Sequence, residues 1–223
     1  MLLTAEHITF SYRAGRRAPV LRDISLALSS GERVGLQAPS GRGKTTLCRL
    51  LAGYELPQRG QVLLNGRPLS SYRGACPVQM IWQHPEVVVD PLLRLKDTLA
   101  EAGPLDRRLM EALHIQAGWL DRYPAELSGG ELQRFCLARA LRPETRFLLC
   151  DEISAMLDLV TQAQIWSFLL EEAERRRLGL LIVSHNSSLL ERLCTRIVPL
   201  PPCHLSQCPL HPFDCFFPIF LLK

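Results

Sequence analysis

The chain has 223 residues, of which 47% are hydrophobic, and its 26 basic and 22 acidic residues give a net charge of +4. This length fits one large domain, or one domain with a small insert, and is enough to bury a core. The charges are mixed along the chain, so we expect no nucleic acid partner, which would require a concentrated basic face. The sequence shows neither a secretory signal nor an apolar run long enough to span a bilayer. Any role at a membrane is therefore expected to depend on a partner protein.

Five of the eight cysteines are scattered through the chain rather than grouped as in a disulfide framework. A free cysteine in an apolar or helical pattern behaves as a small hydrophobic residue. We therefore expect reduced thiols, as in cytosolic proteins, at Cys48, Cys76, Cys136, Cys150 and Cys194.

The N-terminal part of the chain has the pattern of an antiparallel β-subdomain. Apolar residues at every second position predict strands over residues 2–10 and 20–28. Further along, Asn65-Gly66 separates two short apolar runs. Both residues tolerate the positive φ of a tight hairpin turn, which predicts an antiparallel pairing there.

A glycine-rich loop lies between a predicted buried strand at residues 33–37 and a predicted helix at 44–52. A strand, a glycine-rich turn and then Lys-Thr opening a helix is the arrangement that binds a polyphosphate. Glycines let backbone N–H groups surround the phosphates, and the helix N-terminus adds positive charge. Lys44 would reach the β- and γ-phosphates, and the Thr45 hydroxyl would bind Mg²⁺. We therefore predict ATP binding by Ala38, Pro39, Ser40, Gly41, Arg42, Gly43, Lys44, Thr45 and Thr46.

The first position of this loop is Ala38 rather than glycine. If this position required a positive φ, alanine would cost about 1 kcal/mol. We expect weakened nucleotide binding at most.

The middle of the chain has a helical pattern. Leucines at helical spacing over residues 92–120 are interrupted by Gly103-Pro104. We expect a helical insert at about residues 84–127, followed by a helix at 131–141.

The apolar strand predicted at residues 146–150 leads into two acidic residues, Asp151 and Glu152. A phosphate loop needs a carboxylate on an adjacent strand, so Asp151 is predicted to hold Mg²⁺. Glu152 is placed to orient or deprotonate the attacking water. A solvated acidic turn would have the same local pattern. Together with the loop at 38–45, however, the acidic pair predicts a hydrolytic site.

The last regular elements complete an α/β pattern. Residues 161–177 have the period of an amphipathic helix, and residues 179–184 are nearly all apolar. Such a strand is typical of a parallel sheet covered on both faces. The alternation of strands and helices therefore predicts an α/β fold with a mostly parallel central sheet.

Ser128-Gly129-Gly130 stands where the helix predicted at 131–141 begins. Serine can cap the helix, the glycines expose backbone N–H groups, and the helix dipole favours an anion. One chain does not need two such sites for one nucleotide. We infer that this second anion site faces the γ-phosphate of an ATP bound by another copy.

Together these motifs resemble those of the ATP-binding-cassette ATPases, over residues 2–198. The resemblance implies a P-loop NTPase with a central mostly parallel sheet, an N-terminal antiparallel β-subdomain and a helical insert. It implies that Tyr12 stacks on adenine, that Gln83 connects Mg²⁺ and the attacking water to the helical insert, and that His185 contacts the γ-phosphate. Considered alone, Tyr12 could be an aromatic residue of a strand, Gln83 a polar residue at a strand end and His185 a histidine of the surface.

The resemblance also implies residues that act across a pair of cassettes. The loop at residues 154–158 would cross the dimer interface. The residues implied to contact the ATP of the opposing copy are Ser128, Gly129, Gly130, Glu131 and Asp158.

Within this family, the segments at 136–141 and 152–158 resemble the importers of dipeptides, oligopeptides and nickel. This implies an ATPase subunit at the cytoplasmic face of the cell membrane. Its expected partners are a second cassette, in a homodimer or heterodimer, integral membrane permease subunits and an extracytoplasmic solute-binding protein. ATP would close the cassette pair and hydrolysis would open it.

Two alternatives are kept open. Cassette ATPases of DNA repair carry long coiled-coil arms, and those of translation carry two cassettes, whereas residues 46–127 show no sustained heptads and one cassette is present. A degenerate structural partner cassette would lack the catalytic residues, but Lys44, Asp151 and Glu152 are present.

After residue 198 the composition changes to a segment rich in Pro, Cys and Phe, at 199–223. Its potential zinc ligands do not have the spacing of the common paired zinc motifs; they are Cys203, His204, Cys208, His211 and Cys215. We expect an irregular tail, disordered or adhesive. Zinc binding and an out-of-frame end are the alternatives.

Overall fold

Two β-sheets and the helices around them organise the chain. The structure, a computed structural model, describes residues 1–12, 19–104 and 106–201. The strands are β1 (Leu2–Phe10), β2 (Leu21–Ser29), β3 (Arg33–Gln37), β4 (Arg59–Leu64), β5 (Arg67–Pro68), β6 (Val78–Ile81), β7 (Phe147–Asp151), β8 (Gly179–Val183) and β9 (Arg196–Pro199). The α-helices are α1 (Lys44–Leu51), α2 (Leu95–Ala100), α3 (Arg107–Ala112), α4 (Gly129–Ala140), α5 (Leu159–Arg176) and α6 (Ser187–Leu193). Single 3₁₀ turns lie at Leu69–Ser71, Pro85–Val87, Ala117–Trp119 and Pro124–Glu126.

The smaller sheet is antiparallel, with four strands in the order β2-β1-β4-β5. The predicted hairpin is confirmed: Asn65 and Gly66 have φ angles of 52° and 75°, and Leu64 pairs with Arg67 across the turn. The strand predicted at 20–28 runs from Leu21 to Ser29. Its leucines and its isoleucine are buried, which agrees with the predicted alternation.

The larger sheet has five strands in the order β6-β7-β8-β3-β9, and every neighbouring pair is parallel. All residues of β7 and β8 are buried, as expected for strands covered on both faces. The predicted α/β fold is thus confirmed. Strands β6 and β9 and helix α6 are short and lack a long periodic pattern, so their bounds could not be predicted from the sequence.

Side chains of β7 alternate between the two hydrophobic cores. Phe147 and Leu149 pack into the core beneath α1 and the antiparallel sheet, and Leu148 and Cys150 pack into the core with α4 and α5. The five cysteines of the described ranges carry free thiols, as predicted. Burial raises the pKa of Cys136 to about 11, so this thiol stays protonated at neutral pH.

The helical insert is less regular than the leucine spacing predicted. Helices α2 and α3 occupy only part of residues 92–120, and a 3₁₀ turn follows. Gly103, at a φ of 112°, precedes Pro104 and breaks the first stretch. His114, at a φ of 53°, ends α3 with a bond from the Ile115 N–H to the Met110 carbonyl.

The buried carboxylate of Glu172 joins the insert to the core. Its side chain is 2% exposed and lies in α5. Nη2 of Arg108, from α3, donates to both oxygens at 2.8 and 2.7 Å, and Arg175 donates at 3.0 and 2.6 Å. Arg176 approaches the same carboxylate at 3.6 Å and also donates to carbonyls that follow α4. Three arginines therefore share one acceptor where α3, α4 and α5 meet.

Burial by itself raises the pKa of Glu172, but hydrogen bonds from Arg175 and Arg108 outweigh it and hold the pKa below its ordinary value. A carboxyl group whose pKa falls on folding stabilises the folded state above its unfolded-state pKa. That contribution is lost as the pH falls through the folded-state pKa.

We expect Glu172→Gln to lower the free energy of unfolding at neutral pH by about 3 kcal/mol, because three arginines lose their common anionic acceptor. Urea unfolding measures this loss, and the difference from the wild type should shrink in acid, where Glu172 is itself protonated. The exposed neighbour Glu171 is the matched control, and Glu171→Gln should change stability by less than about 0.5 kcal/mol. Equal losses in the two variants would contradict the role of Glu172.

No helix within the described ranges combines the length and the apolar character needed to cross a bilayer. The tail residues considered above as zinc ligands lie outside the described residues.

Candidate functional site

The glycine-rich loop at residues 38–43 connects the end of β3 to the start of α1 at Lys44. Gly41 and Gly43 have φ angles of 74° and 87°, which side chains other than glycine rarely adopt. Ala38 does not have a positive φ and is buried. Its departure from glycine therefore introduces no backbone strain.

Gly43 is required by packing as well as by conformation. A Cβ atom on Gly43 would lie 2.9 Å from Cδ2 of Leu21 and 3.0 Å from Cγ1 of Val20. The antiparallel sheet thus presses against the loop at the residue that precedes α1. This contact fixes the position of the helix N-terminus relative to the sheet.

Lys44 is buried, and its ammonium group bends back over the loop. Nζ donates to the carbonyl oxygens of Ala38 at 2.7 Å and Pro39 at 3.1 Å. Burial lowers the pKa of Lys44, and the negative charges of Glu152 and Asp151 oppose the effect. Lys44 therefore lies close enough to both carboxylates for its positive charge to be stabilised by them.

Asp151 is the last residue of β7, and it is 3% exposed. Burial raises the pKa of this carboxyl, while a hydrogen bond from the Thr45 hydroxyl and the charge of Lys44 oppose the rise. Strand β6 pairs with β7 through Ile81 and Cys150, so Gln83 follows β6 at the same edge of the sheet. The oxygens of Asp151, Thr45 and Gln83 are ligands of the kind that Mg²⁺ prefers.

Glu152 and His185 meet beside Asp151. Nε2 of His185 lies 2.7 Å from Oε1 of Glu152. The backbone of Glu152 has a φ of 51°, a strained value that is held by a bond from its N–H to the Val183 carbonyl at 3.1 Å. Because Val183 ends β8, the neighbouring strand fixes both residues of this pair.

Tyr12 lies at the end of β1 with an exposed ring. Its hydroxyl is 3.1 Å from Oγ1 of Thr46, and its ring packs edge-on against Phe10 at 5.0 Å between centroids. The side chain of Thr46 is thus directed at Tyr12, and Thr46 is 5% exposed. The predicted adenine-stacking residue is anchored to the helix of the phosphate loop.

Ser128 caps α4, which begins at Gly129 rather than at the predicted residue 131. Oγ of Ser128 accepts from the Glu131 N–H at 3.3 Å, and a Glu131 oxygen accepts from the Ser128 N–H at 2.8 Å. This reciprocal pair is a capping box. Its glutamate explains why the helix starts where the two glycines stand.

Asp158 caps α5, and its Oδ1 accepts from the N–H groups of Val160 and Thr161, both at 3.0 Å. A hydrogen bond from the Thr161 side chain lowers the pKa of Asp158. A Cβ atom on Gly130 would lie 3.3 Å from Cγ2 of Thr161 and 3.5 Å from Cδ2 of Leu157. The structure therefore brings together the two segments that the sequence assigned to contacts with an opposing copy.

Residues 21–155 match a family model described as ABC transporter. The chain belongs to the ABC transporter family. It is an ATP-hydrolysing cassette of this family.

Curated relatives of this ABC cassette carry the name nickel import ATP-binding protein NikE. The relative from Rhodospirillum rubrum is 39% identical, over 89% of this chain and 80% of its own length. One from Escherichia coli is 36% identical, over 80% of this chain and 74% of its own length.

Solved structures confirm the cassette fold. The ATP-binding subunit of an ABC transporter superposes with a TM-score of 0.78, at 24% identity over 90% of this chain and 86% of that one. A bacterial ABC transporter cassette solved as a dimer gives a TM-score of 0.77, at 21% identity over 89% of this chain and 94% of that one.

Gln133 was not predicted as a site residue, and it lies on the buried face of α4 in this ABC cassette. Its Nε2 donates to the Trp82 carbonyl at 3.3 Å. The helix that Ser128 caps is thereby tied to the residue before Gln83. A long polar side chain at an inward-facing helical position was the available signal.

We expect Gly43→Ala to weaken ATP binding by about tenfold or more, because the added Cβ strains the backbone and displaces the loop from Leu21. Isothermal titration with ATP measures the affinity. Gly66, with a similar φ and no atom near its Cβ position, is the matched control. Gly66→Ala should cost about 1 kcal/mol of stability and leave the affinity unchanged. An unaltered affinity in Gly43→Ala would contradict the packing argument.

Proposed function

We propose that this cassette hydrolyses magnesium-bound ATP at the edge formed by β3, β6, β7 and β8, and that it thereby energises import of nickel across a membrane. The observation that carries the hydrolytic site is the convergence of Lys44, Asp151, Glu152 and His185 at one edge of the parallel sheet. The observation that carries the cargo is the similarity to the nickel import ATP-binding proteins over most of this chain.

Residues 38–46 hold the nucleotide. The N–H groups of the loop and the first turn of α1 face the phosphates, and Lys44 exchanges its loop carbonyls for phosphate oxygens. Tyr12 offers its exposed ring to the adenine base. Asp151, Thr45 and Gln83 would hold Mg²⁺, which would neutralise phosphate charge.

Glu152 acts on the attacking water. The water oxygen bonds to the γ-phosphorus, the bond from phosphorus to the bridging oxygen breaks with its electrons leaving on ADP, and Glu152 accepts the water proton. His185, which lies beside Glu152, donates a hydrogen bond to the γ-phosphate. The hydrogen bond from the Glu152 N–H to the Val183 carbonyl fixes the backbone of Glu152 at the end of β8.

A second cassette completes the site. Two copies, or this chain and a related cassette, pair head to tail so that Ser128, Gly129, Gly130, Glu131 and Asp158 of each face the ATP of the other. Exposed apolar side chains beside Asp158 support a contact there: Met156 is 70% exposed, Leu159 82% and Val160 67%. Burying them against a partner would be favourable.

The remaining partners are integral membrane permease subunits and an extracytoplasmic solute-binding protein. The cassette would work at the cytoplasmic face of the cell membrane. Helical insert 84–127 would transmit opening and closing of the pair to the permease. The non-transport alternatives find no support among the relatives named above.

We expect Glu152→Gln to retain ATP binding and to lower hydrolysis about 100-fold or more, because the water loses its proton acceptor. Phosphate release and nucleotide titration measure the two properties separately. Glu191, exposed on α6, is the matched control, and Glu191→Gln should hydrolyse ATP like the wild type. Undiminished hydrolysis in Glu152→Gln would remove this residue from its proposed role.

We expect cells that lack this gene to lose uptake of radioactive nickel. The wild-type gene should restore uptake and Lys44→Ala should not, because the phosphates lose their buried cation. Dipeptide uptake is measured in the same strains. Loss of dipeptide uptake with normal nickel uptake would replace the proposed cargo by peptides, and normal uptake of both would contradict an importer of either kind.

A further inference from the structure

Arg49 contacts two parts of the site between which no contact was predicted from the sequence. It lies in α1, and its Nη1 donates to the Tyr12 hydroxyl at 3.4 Å. Its guanidinium carbon lies 4.9 Å from the centre of the Trp82 ring, in a cation–π contact. One side chain thus spans from the adenine-facing tyrosine to the residue before Gln83.

Tyr12 and Trp82, the two residues that Arg49 contacts, are each held by further contacts. On one side, the Tyr12 hydroxyl also meets Oγ1 of Thr46 at 3.1 Å. On the other side, the Trp82 ring packs edge-on against Tyr54 at 5.5 Å, and the Trp82 carbonyl accepts from Gln133. A displacement of Tyr12 therefore has a short route of direct contacts to the segment that carries Gln83 and to α4.

The placement of Arg49 favours these contacts over its own solvation. Its Nε is buried and has no hydrogen-bond partner among the described residues. Its charge is also close enough to oppose the rise that burial causes in the pKa of Asp151. An arginine that served only the surface of α1 would keep this donor in water.

We propose that Arg49 is a positioning residue that couples seating of the nucleobase against Tyr12 to placement of Trp82 and Gln83 at the phosphate end of the site. This coupling rests on the proposed nucleotide site. It predicts that the environment of Trp82 changes when the base binds. The change should require the link from Tyr12 through Arg49.

Fluorine NMR of the full chain labelled with fluorotryptophan tests the coupling. The chain has three tryptophans, and Trp82→Phe assigns the resonance of Trp82. The probe is the non-hydrolysable ATP analogue AMP-PNP with Mg²⁺ at saturation. The shift that it induces at Trp82 is compared in the wild type, Arg49→Met, Tyr12→Phe and the double variant. Arg192→Met, which changes an exposed arginine of α6, is the matched control.

We expect a clear shift in the wild type and in Arg192→Met, and less than half of it in Arg49→Met and in Tyr12→Phe. The double variant should lose no more than either single variant, since both break the same link. Affinity for AMP-PNP should fall by less than about tenfold in each, which separates positioning from binding. Tyr12→Phe is decisive because it keeps the stacking ring and does not touch Trp82.

A full Trp82 shift in Tyr12→Phe or in a folded Arg49→Met would overturn the coupling while leaving nucleotide binding intact. An AMP-PNP-bound wild type without any Trp82 shift would overturn it as well. A wild type that fails to bind AMP-PNP would overturn the proposed nucleotide site itself, and the coupling with it.

Discussion

The common direction of the strands in the parallel sheet is the constraint on which the site depends. Because β3, β6, β7 and β8 all run in one direction, their carboxyl ends meet at one edge. Each of these strands leads into a segment for which we propose a chemical role. The phosphate loop follows β3, Gln83 follows β6, Asp151 ends β7, and His185 follows β8.

Burial of charge is the second feature that shapes this edge. Lys44 and Asp151 are both buried, and desolvation shifts each pKa toward the neutral form. Their mutual attraction and the Thr45 hydroxyl oppose that shift, so neither charge is left unpaired. A nucleotide with its metal would bring compensating charges of its own. The protein therefore keeps a polar site inside a largely apolar sheet at a cost that its neighbouring charges offset.

Much of this arrangement could be predicted from the sequence, because glycine spacing, a terminal acidic pair and a helix-capping serine are local signals. The strained φ of Glu152 and its contact with His185 could not, since they depend on how β7 and β8 align. The helical content of the insert was overestimated, because leucine spacing alone does not indicate the turns at Gly103 and His114. The contact of Arg49 with Trp82 joins residues far apart in the chain and leaves no local pattern. The roles assigned to the individual residues of the site stay predictions.

The central claim is that Asp151, beside Thr45 at the end of β7, holds the metal that accompanies ATP at the phosphate loop. Titration of the wild type and of Asp151→Asn with ATP, in the presence and absence of Mg²⁺, tests it most directly. We predict that Mg²⁺ strengthens ATP binding in the wild type and has little effect in Asp151→Asn. An equal strengthening by Mg²⁺ in both proteins would contradict the account.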